Sequence, residues 1–120
     1  MKRLTNKEKE VMDLYWKHGT MCVRELRELY DEPRPHFNTL STIVRMLEQA
    51  GFLGHKATGR SFQYFPAVTE TEYGYSSIAG IVKNYLNNSY RSAVSSFVRE
   101  ERISVEELRE LIDEIERENQ

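Results

Sequence analysis

At Gly51 the apolar residues of this chain change their spacing, and that change limits the possible folds more than any other feature. Ahead of it they recur at helical intervals; directly after it come two short segments rich in aromatics, the pattern of strands. Thr5-Asn6-Lys7-Glu8 has the S/T-x-x-E spacing of a capping box, in which hydroxyl and carboxylate each satisfy an otherwise unpaired amide. A first helix therefore begins there, carries Val11, Met12, Tyr15 and Trp16 at helical spacing, and stops at Gly19. A second stripe, Val23, Leu26, Leu29 and Tyr30, runs until Asp31-Glu32-Pro33-Arg34-Pro35, where proline cannot donate to the helix ladder. A third helix spans His36 to Ala50. Phe52-Leu53-Gly54-His55-Lys56 and Arg60-Ser61-Phe62-Gln63-Tyr64-Phe65 are the strands, joined by Ala57-Thr58-Gly59, where glycine supplies the positive φ of a tight hairpin. This order predicts a mainly α fold with a small β-hairpin: a helix-turn-helix followed by a wing.

Leu40, Ile43, Val44 and Leu47 fall on one narrow side of the third helix, which must face the first two helices. The opposite side carries Asn38, Thr42, Arg45 and Gln49, flanked by Thr39 and Ser41, with no acidic residue until Glu48. Such a surface suits base edges and phosphates: Asn pairs bidentately with adenine, Arg with guanine, and Thr bonds a base or touches a thymine methyl. A polar helix face is ordinarily just a solvated one, and a charged hairpin tip is ordinarily plain surface. Here both occur in one unit, with His55, Lys56 and Arg60 expected near the tip, where a wing grips the sugar-phosphate backbone. Together they favour duplex DNA as the partner. The alternative is a winged-helix module whose polar third-helix face meets a partner protein, without sequence-specific DNA binding.

The net charge of −2 conceals an asymmetry. Residues 1–68 hold 11 Lys and Arg against 8 Asp and Glu, a net +3, and residues 69–120 hold 6 against 11, a net −5. Charge acts over about one Debye length, ~8 to 10 Å in physiological salt, so a basic front can bind a polyanion despite an acidic rear. A boundary near Val68, just after Pro66, predicts a DNA-binding domain at 1–68 and a helical region at 69–120.

No metal-ligand spacing, glycine-rich phosphate loop or nucleophile–base pair is present, so neither an enzyme nor a cofactor is expected and no catalytic residue is assigned. Cys22 is the sole cysteine, and His18, His36 and His55 lie far apart, so no metal site is expected. Apolar runs of two or three residues are far too short to insert in a membrane, and the N-terminus lacks the features of a secretory signal; a cytoplasmic protein is expected.

After Val68 three further stripes follow: Tyr75, Ile78, Val82, Tyr85 and Leu86; Tyr90, Val94, Phe97 and Val98; and Val105, Leu108, Leu111, Ile112 and Ile115, the last opened by the capping box Ser104-Val105-Glu106-Glu107. So short a segment buries too little surface to stand alone and must pack on the front half or on a second copy. A two-fold homodimer through these stripes is favoured, because an apolar face meeting its own copy closes without an open edge. The simpler alternative is a monomer with the tail folded against its own head.

Asn38-Thr39-Leu40-Ser41-Thr42-Ile43-Val44-Arg45-Met46-Leu47, then Ala50-Gly51-Phe52-Leu53 and Gly59-Arg60-Ser61-Phe62-Gln63-Tyr64, resemble the penicillinase-repressor family, the BlaI and MecI type of bacterial winged-helix regulator. Leu4, Thr5, Glu8, Val11, Met12 and Trp16 are similar to that family's first helix, and the likeness extends through the tail. It implies a homodimeric repressor of a palindromic operator, relieved by proteolysis downstream of a membrane sensor, typically in antibiotic-resistance control. The family's scissile pair is commonly Asn-Phe; the aligned pair here is Ser96-Phe97, and Phe97 also belongs to an apolar stripe. Many members carry Arg where this chain has Met46, with Arg45 one place earlier; one residue turns a helical side chain by about 100°, so base contacts do not carry over there. Cys22 stands where relatives commonly have a capping Ser or Thr, as a redox-sensing thiol or, more ordinarily, a small buried hydrophobe. The Cys-rich C-terminus of copper-responsive relatives is absent.

Overall fold

The computed structural model describes residues 1–119. They form α1 (Asn6–His18), α2 (Val23–Glu28), α3 (Phe37–Gln49), β1 (Leu53–Thr58), β2 (Ser61–Pro66), α4 (Glu70–Tyr85), α5 (Tyr90–Arg99) and α6 (Val105–Glu118). Two compact units result, Met1–Ser77 and a second that begins at Ile78.

The first unit is built around one apolar cluster. Val11, Met12 and Tyr15 of α1, Val23 and Leu26 of α2, Leu40, Val44 and Leu47 of α3, and Met21, Phe52, Leu53 and Tyr64 are all buried in it. Helix α1 starts at the expected capping box: the Glu8 amide donates to Thr5 Oγ1 at 3.3 Å, and the Glu8 carboxylate accepts the Thr5 amide at 2.9 Å. Lys2 Nζ donates to the other Glu8 oxygen at 2.7 Å, so this buried carboxylate is fully partnered. Burial pushes the Glu8 carboxyl up, but the Lys2 ammonium and the Thr5 bonds outweigh it and hold the group below its ordinary value. Tyr15 donates its hydroxyl to the Met21 carbonyl at 3.2 Å, and burial pushes that phenol strongly up. Helix α2 is shorter than its apolar stripe: it ends at Glu28, Leu29 is exposed, and Tyr30 packs at the edge of the core.

The two strands pair antiparallel, with Thr58 opposite Ser61 and Gly59 at φ +61° in the two-residue turn. Gly54 is fixed by packing, since a Cβ there would lie 2.8 Å from the Phe65 ring. Met21 adds a rung to the hairpin through reciprocal 2.9 Å backbone bonds with Tyr64, which ties the α1–α2 connection to the wing.

The division into units runs through α4 rather than ahead of it at Val68. The Leu4 amide donates to the Tyr73 hydroxyl at 2.9 Å, and the Trp16 indole N–H donates to the Val68 carbonyl at 3.0 Å. The Tyr73 ring also packs 5.9 Å from Trp16 and 5.6 Å from Phe52, centroid to centroid. Glu70 and Glu72 therefore count with the first unit, whose charge becomes +1 (11 basic, 10 acidic) against −3 (6 basic, 9 acidic) for the remainder. The gross asymmetry is thus smaller than a division at Val68 implies, and local placement of charge matters more.

The second unit holds the end of α4 with α5 and α6. Asn87 and Asn88, at φ 50° and 64°, make the turn after α4 in a conformation asparagine tolerates. Ser89 caps α5 and Ser104 caps α6, the latter with the full capping box. Among the described residues Val82 is this unit's one buried apolar side chain. Val82, expected in the first association stripe, is thus covered within the single chain.

Candidate nucleic-acid interface

The entry to α3 is fixed by Arg27, whose Nε donates to the Pro35 carbonyl at 2.7 Å; His36 takes the N-cap position, with its carbonyl accepting the Leu40 amide at 3.1 Å and no side-chain cap. Leu40, Val44 and Leu47 are sealed in the core and Ile43 is half-buried, so the rotation of the helix is set and its other side must face outward. Asn38, Thr42, Arg45 and Gln49 are all exposed there. Thr42 donates its hydroxyl to the Asn38 carbonyl at 2.9 Å, which leaves its lone pairs and methyl group to a ligand. Arg45 is held to its own helix by an Nε bond to the Ser41 carbonyl at 3.4 Å and joins no ion pair among the described residues, leaving its Nη groups free.

The flanking residues divide. Thr39 is exposed but lines a second hollow of about 200 Å³ with Lys7, Glu10, Tyr30 and the two prolines of the turn, on the α1 side of α3. Ser41, half-buried, lies on the hairpin side and lines a concavity of about 360 Å³ with Arg24, Phe37, Arg60, Ser61 and Phe62. Arg60 occupies the turn itself, and Lys56 is exposed opposite Gln63, two register positions further back. His55 is not at the tip as expected. Its Nδ1 meets the Glu48 carboxylate, and its ring packs 4.7 Å from Phe62 and 5.5 Å from Tyr64. The cause is strand alternation: His55 points to the face that packs toward α3 and Lys56 to the other. The effect is on exposure, because the one acid in α3 is half-buried and engaged by an imidazole nitrogen instead of standing open on the outward side.

Two exposed groups at this surface, Arg24 and Phe37, escaped the sequence reading. Arg24 follows the buried Val23 by one position and so had to lie off the core face; that it lines one concavity with Arg60, far along the chain, depends on the tertiary fold. Cys22 is a half-buried free thiol at the α2 N-cap, and its amide donates to Glu25 Oε1 at 3.1 Å. That backbone bond is the largest cause holding the Glu25 carboxyl below its ordinary value. No group of three His, Cys, Asp or Glu side chains among the described residues could hold a metal, and no helix among them is long and apolar enough to cross a membrane.

The penicillinase repressor family model matches residues 4–117. The chain belongs to that family. It is 29% identical to the penicillinase repressor of Bacillus licheniformis over 110 residues, covering 91% of this chain and 86% of that protein. To the methicillin resistance regulatory protein MecI of Mammaliicoccus sciuri it is 26% identical over 109 residues, or 90% and 89% of the two chains. Among solved structures, the DNA-binding domain of the repressor BlaI superposes with a TM-score of 0.52 at 30% identity, covering 61% of this chain and 94% of that one. The monomeric form of Bacillus licheniformis BlaI in complex with the blaP half-operator gives 0.51 at 29% identity, covering 60% and 89%. Helices and hairpin are thus those of a winged-helix repressor family, which is not a family of enzymes.

Proposed function

We propose that this chain is a homodimeric transcriptional repressor that binds a palindromic DNA operator, with α3 in the major groove and the hairpin on the sugar-phosphate backbone. The outer side of α3 carries this reading: Asn38, Thr42 and Arg45 stand open, free of exposed acid neighbours on that helix because His55 covers Glu48. The likeness of this head to a BlaI form solved in complex with a half-operator supports DNA as its partner. Arg45 reads a base edge, Asn38 and Thr42 a neighbouring one, and Lys56 and Arg60, joined by Arg24, hold phosphates. Ser41 and Thr39 support these contacts from the two flanks, and His55 acts by positioning the wing against α3.

The tail supplies the second copy. Of the twelve side chains expected to associate, nine are exposed: Tyr75, Ile78, Tyr85, Tyr90, Val94, Phe97, Leu111, Ile112 and Ile115. Leu86 and Leu108 are half-buried, and Ile81 and Val105, both exposed, join the set. So much uncovered apolar surface favours a partner, and a second copy closes it by symmetry. Two linked heads make the second docking intramolecular, so cutting the tail releases DNA. Ser96 and Phe97 are exposed within α5, a ten-residue helix that must open before a protease can take the segment in extended form. That protease would answer a membrane sensor and act in the cytoplasm, in antibiotic-resistance or related control.

Operator binding across a salt series tests the reading. Affinity should fall with log salt by about 0.9 per neutralised phosphate, Arg45→Ala should weaken recognition more than Glu48→Ala, and footprints should show half-site centres about 34 to 36 Å apart or a multiple of that. A flat salt response with Arg45→Ala binding as tightly as the native chain would instead point to a protein partner for α3.

A further inference from the structure

Met46 is 51% exposed, whereas Leu40, Val44 and Leu47 of the same helix are sealed in the core. A lone exposed apolar side chain is common on any protein surface and by itself asks for no explanation. Its neighbours set this one apart. On a helix, residues three and four apart meet, so Met46 lies beside Thr42 on one side and Gln49 on the other, both exposed on the outward face of α3. In the major groove the base edges present donors and acceptors, with one apolar group among them, the C5-methyl of thymine. Gln49 suits the N6 and N7 atoms of adenine, and Thr42, exposed one turn away with its hydroxyl proton committed to the Asn38 carbonyl, has a methyl group to offer as well. Between them stands an unbranched, polarisable thioether chain able to follow a methyl group in the groove floor.

We propose that Met46 is a specificity-determining residue that reads a thymine methyl group in the operator, so that the half-site requires an A·T pair beneath the Thr42–Met46–Gln49 triangle. This rests on the DNA-binding reading of α3. The test uses the intact protein and a duplex that it has itself selected from random DNA. Each thymine is replaced in turn by deoxyuridine, which preserves the pairing edge and removes only the methyl group. At one thymine position per half-site the native chain should bind about fourfold more weakly, the weight of one buried methyl group. Met46→Ala should bind the methylated and unmethylated duplexes alike, Met46→Leu should restore the difference, and neither substitution should alter the melting temperature. If no thymine proves sensitive, or if Met46→Ala keeps the sensitivity, the proposal falls while the repressor reading stands. If no preferred sequence can be selected at all, both fall.

Discussion

The two units of this chain are equally rich in amphipathic helices and opposite in what they do with them. Among the described residues, twelve of the thirteen buried apolar side chains lie in Met1–Ser77, and Val82 alone lies beyond it. Three short helices and a hairpin approach the head's cluster from different directions and close it. Helices α5 and α6 carry apolar stripes just as regular, yet none of their residues is buried. Periodicity states that a helix face needs a cover; the supply of elements around it decides whether the same chain provides one. The head is therefore folded by its own contacts, and the apolar faces of α5 and α6 stay uncovered.

The largest expected effect comes from separating them. A fragment ending at Ser77 should fold, yet bind a two-half-site operator about 10²- to 10⁴-fold more weakly than the intact protein, the usual gain from linking two modules. Gel-shift titration of both proteins measures it, and full-strength binding by the fragment would break the comparison. A fragment ending at Val68 should fare worse in stability. It loses Tyr73, which accepts the Leu4 amide and packs on Trp16 and Phe52, a loss of about 3 to 5 kcal/mol by analogy with aromatic truncations. Urea melts of the two fragments would resolve that difference.

Single substitutions sharpen the contrast. Leu47→Ala, in the sealed core, should cost about 2 to 5 kcal/mol at any protein concentration. Leu29→Ala, one stripe away but exposed, should stay within about 0.5 kcal/mol. Ile112→Asp in α6 should leave the head's melting unchanged and raise the dimer dissociation constant roughly tenfold or more, the scale of an interface anchor. Sedimentation equilibrium reads the last. If Ile112→Asp instead unfolds the head, the two units are not energetically separate.

What the sequence made legible were the features whose causes are local. Thr5–Glu8 and Ser104–Glu107 are capping boxes because of residues three apart, and both form. The rotation of α3 follows from four apolar residues on one face, so the outward set Asn38, Thr42 and Arg45 follows from local spacing alone. Features that depend on distant chain were not legible. His55 is drawn to Glu48 by the way the hairpin folds onto α3. Tyr73 lies beyond the boundary expected near Val68 but completes the head, because Leu4, Trp16 and Phe52 converge on it from three other segments. Leu29 keeps the spacing of α2 without its burial, since α2 ends one residue earlier.

The smallest effect separates the two capping boxes themselves. Thr5→Ala should cost the head about 1 kcal/mol, the ordinary weight of an N-cap. Ser104→Ala should only loosen the first turn of α6, seen as faster amide exchange at Val105–Glu107 with the head's melting unchanged. The boxes differ because Glu8 is buried and paired with Lys2, while Ser104 and Glu107 are exposed. Glu8's carboxyl is held below its ordinary value in the folded state, so the unfolded chain takes up a proton first as pH falls. The stability it contributes is complete above the ordinary glutamate value near 4.5 and is lost as pH drops through the folded value. Glu8→Gln should therefore be less stable than the native chain by about 1 kcal/mol at pH 7, with the gap closing as pH falls through the lowered folded value, below which a protonated Glu8 and a glutamine carry the same charge. Urea midpoints for both proteins across that range decide it: a gap undiminished in acid would mean that shape, and not charge, is what Glu8 contributes to the head.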